Sequence, residues 1–304
     1  MFPQQKMNML IPLFKNCFKC SLLLSEHKII WNEVYFYCCN CNQYTKWCHN
    51  MILSKMQISA DHLEKLLTLF IDKRTPTEAH SILGYDFVNK KLNIKTIEHY
   101  YSIFNRISME FYLEELDCIF FDGEVEIDES HLFKPKYSFA PHRSYALDTV
   151  WLFGICQRNT RNFVLFPVAS RNEMNLLKII FKFIKKGAMI YSHFFSCYVT
   201  NHTFPKKSKL SKYDYIHKFV NHKKEFVSGL FSRTHTNTVE NLWKLIKQEI
   251  RRQKISIHYT SAIARFYISR KKTKEEQMKI LIRGLQRKDI KEFNELVQLI
   301  HEKF

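Results

Sequence analysis

The sequence predicts an α/β protein in which a small ribbon with paired cysteines and a helical segment precede a mixed sheet packed with helices. Three observations support this prediction. Two C-x2-C pairs lie near the N-terminus, helical patterns follow them, and strand and helix patterns then alternate. We expect segments at residues 1–55, 56–117 and 118–255, with C-terminal basic helices at residues 256–304.

The composition of this 304-residue chain indicates folded domains and an anionic partner. Hydrophobic residues make up 46%, which supplies enough apolar material for cores and excludes wholesale disorder. The formal net charge of +18 favours nucleic acid as the partner, although a lysine-rich surface from biased codon usage would give the same balance. Since we find neither a membrane-spanning apolar run nor a secretory signal, we expect an intracellular protein.

The N-terminal cysteines have the spacing of a zinc site. Two C-x2-C knuckles separated by 17 residues supply the expected ligands, Cys17, Cys20, Cys38 and Cys41. Two knuckles on a hairpin can close a tetrahedral shell of thiolates around structural Zn²⁺, as in a zinc ribbon. Free thiols and a disulfide pair are the alternatives, and a reducing compartment disfavours the disulfide. Three further residues could enter the shell, namely Cys39 in place of Cys38, and Cys48 with His49.

Residues 56–117 carry three helical patterns. The T-P-T-E string at 75–78 is typical of a helix start, and Gly84 is expected to end that helix. A third helix is expected over about residues 95–112. These helices could form a helix-turn-helix that binds DNA. Because the connection at 85–91 is long for that motif, a plain helical linker remains an equal alternative.

The acidic string DGEVEIDE at residues 122–129 is unusual in so basic a chain. Its carboxylates alternate with Val125 and Ile127, as on a strand with one acidic and one apolar face. Such a row repels itself unless a cation or a basic partner lies beside it. A divalent-metal site and an edge strand guarded by charges are both consistent with this pattern.

The order of the following elements predicts helices packed on a mixed sheet. Glu240 lies in the first turn of a strongly amphipathic helix, where it either stabilises the helix dipole or lends a carboxylate to a site at the sheet edge. The expected elements are strands at 150–156, 163–169 and 188–192 and helices at 172–186 and 236–252.

Five strings occur in the order VEIDESHLFKPKY, WLFGICQRNTRNFVLFPVASRN, GAMIYSHFFSCY, FVNHKKEFV and THTNTVENLWKLIK. Together they resemble the DDE transposases of the Merlin superfamily and the related ISXO-type bacterial insertion sequences. The resemblance covers roughly residues 15–252 and includes the cysteine ribbon. It implies an RNase H-like core that cuts and joins DNA with divalent metal, acts on the terminal repeats of an element and works as a homo-oligomer.

The resemblance also assigns the catalytic positions. The first acid falls on Asp128 and the third on Glu240, which would bind Mg²⁺ or Mn²⁺. The second acid is absent, because His193 stands at its position. Tyr198 matches the aromatic residue after the second acid, and the dipeptide 221–222 matches a further motif.

The missing acid matters because two Mg²⁺ ions about 3.5–4 Å apart require bridging carboxylates. Mg²⁺ prefers oxygen ligands, whereas a neutral imidazole suits Zn, Cu or Fe. We therefore expect Asp128 and Glu240 to hold metal weakly and His193 to impair catalysis. Rescue by Asp214 or Glu225, the other acids between Met174 and Val239, would need an unusual loop path.

Basic residues near the expected site are candidates for DNA contacts. They are Lys206, Lys207, Lys209 and Lys212 in one loop, with Arg251 and Arg252 at the end of the Glu240 helix. The loop could instead target the protein to the nucleus of a eukaryotic host, and the basic run at 270–288 is more typical of a solvated helix face.

Three functions are consistent with these features. The first is a transposase-derived protein with impaired catalysis, and the second is a non-catalytic, sequence-specific DNA-binding protein on the same fold. An RNA-binding zinc-ribbon protein is the weakest, because no aromatic stacking motif is present.

Overall fold

The computed structural model describes residues 15–30, 33–56, 58, 60–86, 92–132, 151–168, 170–200, 207–220, 235–252 and 259–302. The chain divides into two compact units. The first comprises Met1–Glu110 and Lys272–Phe293, and the second comprises Phe111–Lys271 and Asn294–Phe304. No helix within the described ranges is long and apolar enough to cross a membrane.

The first unit begins with the predicted ribbon. Strands β1 (Lys15–Asn16) and β2 (Leu23–Leu24) form one antiparallel pair. Strands β3 (His27–Ile30), β4 (Glu33–Cys38) and β5 (Gln43–Lys46) form an antiparallel sheet. Phe36 is fully buried in a small core beside Cys17, Leu24 and Cys38.

The remainder of the first unit is helical, with α1 (Ala60–Ile71), α2 (Pro76–Asp86) and α3 (Ile94–Leu116). The predicted start of α2 is confirmed, since Thr75 N–H donates to Glu78 Oε2 at 2.7 Å and Glu78 N–H donates to Thr75 Oγ1 at 3.3 Å. The predicted stop at Gly84 is wrong. Gly84 lies inside α2 and is not among the described glycines with a left-handed backbone.

The basic run after residue 270 also folds into the first unit. Helix α7 (Lys274–Leu285) begins with a capping box between Thr273 and Glu276. Its buried residues Leu281 and Leu285 share a core with Phe104 of α3. One face of the run is therefore apolar and packed, while its lysines and arginines lie on the other faces.

The second unit contains a five-stranded mixed sheet. Its strands are β6 (Glu124–His131), β7 (Trp151–Gln157), β8 (Phe163–Val168), β9 (Met189–His193) and β10 (Ile216–Val220), in the order β10-β9-β6-β7-β8. The pairs β6–β7 and β7–β8 are antiparallel, and β6–β9 and β9–β10 are parallel. The mixed sheet predicted from the sequence is thus confirmed.

Helices of the second unit cover both faces of this sheet. They are α4 (Glu173–Phe183), α5 (Asn237–Arg252) and α6 (Tyr259–Lys271), and most of a further helix, α8 (Phe293–Glu302), also belongs to this unit. Helix α4 ends three residues earlier than expected, because Phe121 N–H donates to Phe183 O and Lys185 N–H donates to Phe121 O, so the chain turns extended there. Phe183 packs on Phe166 of β8 with ring centroids 4.8 Å apart.

Helix α5 packs on the opposite face of the sheet, and its approach depends on Gly154 of β7. A Cβ atom added at Gly154 would lie 2.7 Å from Trp243 Cη2 and 3.0 Å from Val239 Cγ2. Gly154 is paired with Asp128 across β6 and β7. The missing side chain therefore lets α5 approach the strand that carries Asp128.

Substitution of Gly154 by alanine should loosen this packing. We expect overpacking against Trp243 to lower the free energy of unfolding by about 1–3 kcal/mol. Urea unfolding followed by tryptophan fluorescence measures the change, and Gly154→Ala combined with Trp243→Phe should recover part of it. A single variant as stable as the wild type would contradict the close approach of α5.

Candidate active site and cysteine cluster

The four predicted cysteines form one cluster in the ribbon. The Sγ atoms of Cys17, Cys20, Cys38 and Cys41 all lie within 4.8 Å of one another, and those of Cys20 and Cys38 are 3.6 Å apart. Ligand sulfurs at about 2.3 Å from a tetrahedral Zn²⁺ would be about 3.8 Å apart, so the donor set fits that ion. Cys39 is exposed and lies outside the cluster, so Cys38 and not Cys39 is the fourth member.

Both knuckles of the cluster have the same backbone geometry. A residue with left-handed backbone follows the second cysteine of each pair, Ser21 with φ 59° and Asn42 with φ 53°. The backbone N–H of Leu22 donates to Cys20 and lowers the pKa of its thiol to about 6. Hydrogen bonding to Cys20, together with burial, raises the pKa of Cys41 to about 12. Cys20 thus loses its proton easily and Cys41 keeps its proton. This is expected where several thiols lie close together, because their combined negative charge is unfavourable unless a cation is bound.

The three residues assigned by the resemblance lie together in the second unit. Asp128 lies on β6, His193 ends the parallel neighbour β9, and Glu240 lies in the first turn of α5. His193 Nε2 is 3.7 Å from Asp128 Oδ1 and 3.2 Å from Glu240 Oε1. The two carboxylates therefore meet at the imidazole.

Asp128 is held by both of its oxygens. Trp243 Nε1–H donates to Oδ2 at 2.8 Å, and His193 lies beside Oδ1. Burial raises the pKa of Asp128, while the neighbouring His193 and the indole N–H oppose that shift. The sequence pattern indicated only that this helix is amphipathic, so the hydrogen bond from Trp243 to the acid was missed.

Thr236 connects His193 to Glu240, and the sequence reasoning missed it although it lies in the quoted THTNTVE string. The buried Thr236 hydroxyl donates to Glu240 Oε1 at 3.0 Å and lies 2.9 Å from His193 Nε2. Since the hydroxyl proton is directed to Glu240, the hydroxyl oxygen accepts from His193, and Nε2 carries the proton. In this arrangement Nε2 has no lone pair to offer a metal ion.

This donor set does not fit the two-Mg²⁺ centre that the resemblance implies. Two carboxylates remain, one partly engaged by an indole and the other by a hydroxyl, with an imidazole N–H beside both. Of the acids considered for rescue, Asp214 lies 3.5 Å from Lys186 Nζ at the exposed surface, and Glu225 is outside the described residues. Among described residues, the four cysteines are the one group of three or more ligand atoms mutually within 4.8 Å.

A second carboxylate of β6, Glu126, contacts an arginine and a helix N-terminus instead of the candidate active site. It is fully buried and forms an ion pair with Arg158, with Nε 2.8 Å from Oε1. Its Oε2 accepts from the backbone N–H groups of Thr238 at 2.8 Å and Val239 at 3.1 Å. Glu126 thus binds the N-terminus of α5, where an anion is stabilised by unpaired amides and the helix dipole.

The predicted acidic face is therefore neutralised by partners from the protein itself. Arg158 lies 3.5 Å above the ring of Tyr191 and within 3.8 Å of Glu124 as well as Glu126. Sequence reasoning missed Arg158, because nothing in the string QRNTRN distinguishes this buried arginine from an exposed one. The metal interpretation of the acidic string applies at most to Asp128.

Tyr198 lies on the other face of the sheet and contacts Glu129 rather than Asp128. The Tyr198 hydroxyl donates to Glu129 Oε1, and Tyr198 is fully buried while Glu129 is half-buried. Burial raises the pKa of Glu129 to about 7, although the tyrosine hydrogen bond opposes that shift. The resemblance placed Tyr198 shortly after the second acid in sequence. In the structure, Tyr198 instead forms a hydrogen bond with Glu129, the residue that follows the first acid.

The predicted DNA-binding residues differ in their surroundings. Lys207, Lys212 and Arg251 are exposed. Lys209 Nζ is 2.6 Å from Glu173 Oε2, so its charge is already paired. Lys206 and the 221–222 motif lie outside the described residues, and Arg252 is described only as the last residue of α5.

A half-buried histidine of β10, His217, adjoins the site. His217 Nε2 is 2.8 Å from Ser192 Oγ, and Nδ1 is 2.8 Å from Ser208 Oγ. Because Ser192 donates its proton to the carbonyl of His193, His217 donates from Nε2 and accepts at Nδ1. Burial lowers the pKa of His217 to about 4 and keeps the ring neutral.

This neutral ring should make stability depend on pH. Between the unfolded value near 6.5 and the folded value near 4, the unfolded chain binds a proton that the folded chain does not, so stability falls as pH drops. We expect a loss of about 1–3 kcal/mol over this range. Urea unfolding of the wild type and of His217→Gln at several pH values measures it, and equal pH dependence in both would contradict the prediction.

The comparison with known families identifies the domain that carries these residues. Residues 120–265 match the family described as ISXO2-like transposase domain, and this match lies within the second unit, which holds Asp128, His193 and Glu240. No curated protein matches the chain. Residues 120–265 therefore belong to the ISXO2-like transposase domain family.

Proposed function

We propose that this chain is a transposase-derived DNA-binding protein whose catalytic centre is impaired. One observation supports the proposal: Nε2 of His193, the residue that the resemblance places at the second acid, lies 2.9 Å from Thr236 Oγ1, 3.7 Å from Asp128 Oδ1 and 3.2 Å from Glu240 Oε1. The missing carboxylate lowers the charge available to a divalent ion, and a neutral imidazole lies beside the two acids in its place.

The proposed partner is DNA, in particular the terminal repeats of the parent element. The family match and the net charge of +18 support this choice. Lys207, Lys212 and Arg251 are exposed and can contact phosphates without breaking a described ion pair. Lys209 would have to leave Glu173 first, so it contributes less. Activity on paired ends would require a homo-oligomer, which we include in the proposal.

The cysteine cluster is proposed as a structural Zn²⁺ site. The four sulfur donors fit a tetrahedral ion in number, type and spacing. A closed shell of four thiolates leaves no open position for chemistry, so this zinc would hold the ribbon together and take no part in cleavage.

Binding and cleavage must be measured separately to test the proposal. A labelled duplex that carries the terminal repeats flanking the gene is incubated with the wild type, with His193→Asp and with His193→Asp/Asp128→Asn, in Mg²⁺ or Mn²⁺. We expect all three to bind the duplex and only His193→Asp to cut it, since it alone has three acids.

Each outcome bears on the proposal. Efficient cleavage by the wild type would show that His193 is tolerated and would refute the impairment. Absence of DNA binding in the wild type would refute the DNA-binding function. Binding without cleavage in every variant would favour the alternative, a protein that binds DNA specifically and whose site can no longer be restored by one acid.

A further inference from the structure

A cleft with two arginines lies in the second unit, apart from the candidate active site. It has a volume of about 380 Å³ and lies between the β7–β8 turn, helix α5 and the end of helix α6. On α5 the cleft is lined by Leu242 and Leu245, about 200° and 140° around the helix from Glu240. The cleft therefore lies on the side of α5 away from Glu240.

The charges in this cleft are all of one sign. Arg161 belongs to the β7–β8 turn and Arg270 to the last turn of α6, and both side chains are exposed. Neither guanidinium has an ion pair or hydrogen bond with the part of the chain that the structure describes. No carboxylate is among the described residues that line the cleft. The helix dipole of α6 stabilises a positive charge at the position of Arg270, near the helix C-terminus. It does not explain the positive charge of Arg161.

The remaining lining suits the sugar next to a phosphate. Phe163, Leu242 and Leu245 form an apolar floor, and Leu245 keeps 37% of its surface exposed. Asn241 adds an amide that can donate or accept. Arginine binds phosphate oxygens through two parallel N–H groups, so two arginines around an apolar floor match a phosphodiester with its deoxyribose.

We propose that this cleft binds a phosphodiester of the DNA backbone between Arg161 and Arg270, with the adjoining sugar on Leu242 and Leu245. The inference rests on the proposed DNA-binding function and adds a contact that lies outside the catalytic centre and the basic loop. The domain would thus contact the duplex at a second place, on the side of α5 opposite Glu240.

A charge-matched pair of variants tests this proposal. Arg161→Ala/Arg270→Ala and Lys178→Ala/Lys182→Ala both remove two positive charges, but the lysines are exposed on α4, which packs on the other face of the sheet. Binding of a short labelled duplex is followed by fluorescence polarisation over a salt series. The arginine variant should reduce the magnitude of the slope of log K against log salt by about 0.9, because one phosphate contact is lost. The lysine variant should leave the slope near that of the wild type.

Equal losses in the two variants would overturn the proposal, since they would reflect net charge alone. If the arginine variant fails to unfold cooperatively, Arg161→Lys/Arg270→Lys replaces it. That variant keeps the charge and loses paired donation, so it should weaken binding with little change in slope, and unchanged affinity would overturn the proposal.

A calorimetric titration with inorganic phosphate distinguishes the possible sources of the phosphate. Heat that disappears in Arg161→Ala/Arg270→Ala would identify an anion site that also takes free phosphate. If the wild type binds no DNA, the proposed function is wrong. Heat of phosphate binding that depends on Arg161 and Arg270 would then still identify the cleft as an anion site. Absence of both DNA binding and phosphate heat would overturn the cleft as well.

Discussion

Replacing Cys17 by serine should abolish zinc binding at the proposed site and unfold the ribbon. The four sulfurs lie within 4.8 Å of one another, and the ribbon has only a small core around Phe36. Structural zinc sites of this type contribute on the order of 10 kcal/mol to folding, so loss of one ligand removes most of the stability of such a small unit. Zinc content by atomic absorption and far-UV circular dichroism measure the effect, with about one zinc expected per wild-type chain.

Cys39→Ser is the matched control for this experiment. Cys39 is adjacent to Cys38 but exposed and outside the cluster, so its loss should leave zinc content and folding unchanged. A Cys17→Ser protein that keeps its zinc and its ribbon would show that the cluster is not the metal site. Loss of zinc in Cys39→Ser would show that the ligand set is wrongly assigned.

Replacing Glu126 by glutamine should strongly destabilise the second unit. The change leaves Arg158 buried without its carboxylate and removes the negative charge from the N-terminus of α5. Breaking a buried ion pair in this way costs about 3–5 kcal/mol. Since Glu240 lies on the first turn of α5, the same change should weaken metal binding by a His193→Asp protein even where that protein remains folded.

Two further variants make the Glu126 prediction specific. Glu124→Gln removes a partly exposed acid 3.8 Å from the same arginine. We expect it to lower the free energy of unfolding by less than about 1 kcal/mol. Glu126→Gln/Arg158→Met removes both buried charges and should recover part of the stability. Urea unfolding at one pH compares all three, and a loss for Glu126→Gln no larger than for Glu124→Gln would contradict its role at the helix start.

Short-range sequence patterns predicted most of the elements, and the family resemblance predicted that Asp128 and Glu240 share a site. Alternation identified β6, and apolar runs identified β7 to β9. The capping residues of α2 were read correctly from the T-P-T-E string. Gly84 was misread, because a glycine marks a helix end only where the backbone turns left-handed, and that choice depends on packing that continues past it.

The partners of the acids could not be predicted, because they come from elements far apart in sequence. Arg158 reaches Glu126 across β6 and β7, and Trp243 reaches Asp128 only because Gly154 lets α5 approach. Thr236 was within a quoted motif, yet its hydrogen bond to His193 depends on β9 and α5 meeting at one edge. A single sequence carries no signal for such pairings.

Metal titration of three proteins tests the central claim, that His193 prevents the two acids from holding divalent metal. Mg²⁺ and Mn²⁺ are added in a calorimeter to the wild type, His193→Asp and His193→Ala. His193→Ala removes the imidazole without adding an acid, so it separates the lost charge from the obstructing N–H. We predict tight binding only for His193→Asp, weak binding for His193→Ala and the weakest for the wild type. A wild type that binds metal as tightly as His193→Asp would contradict the account.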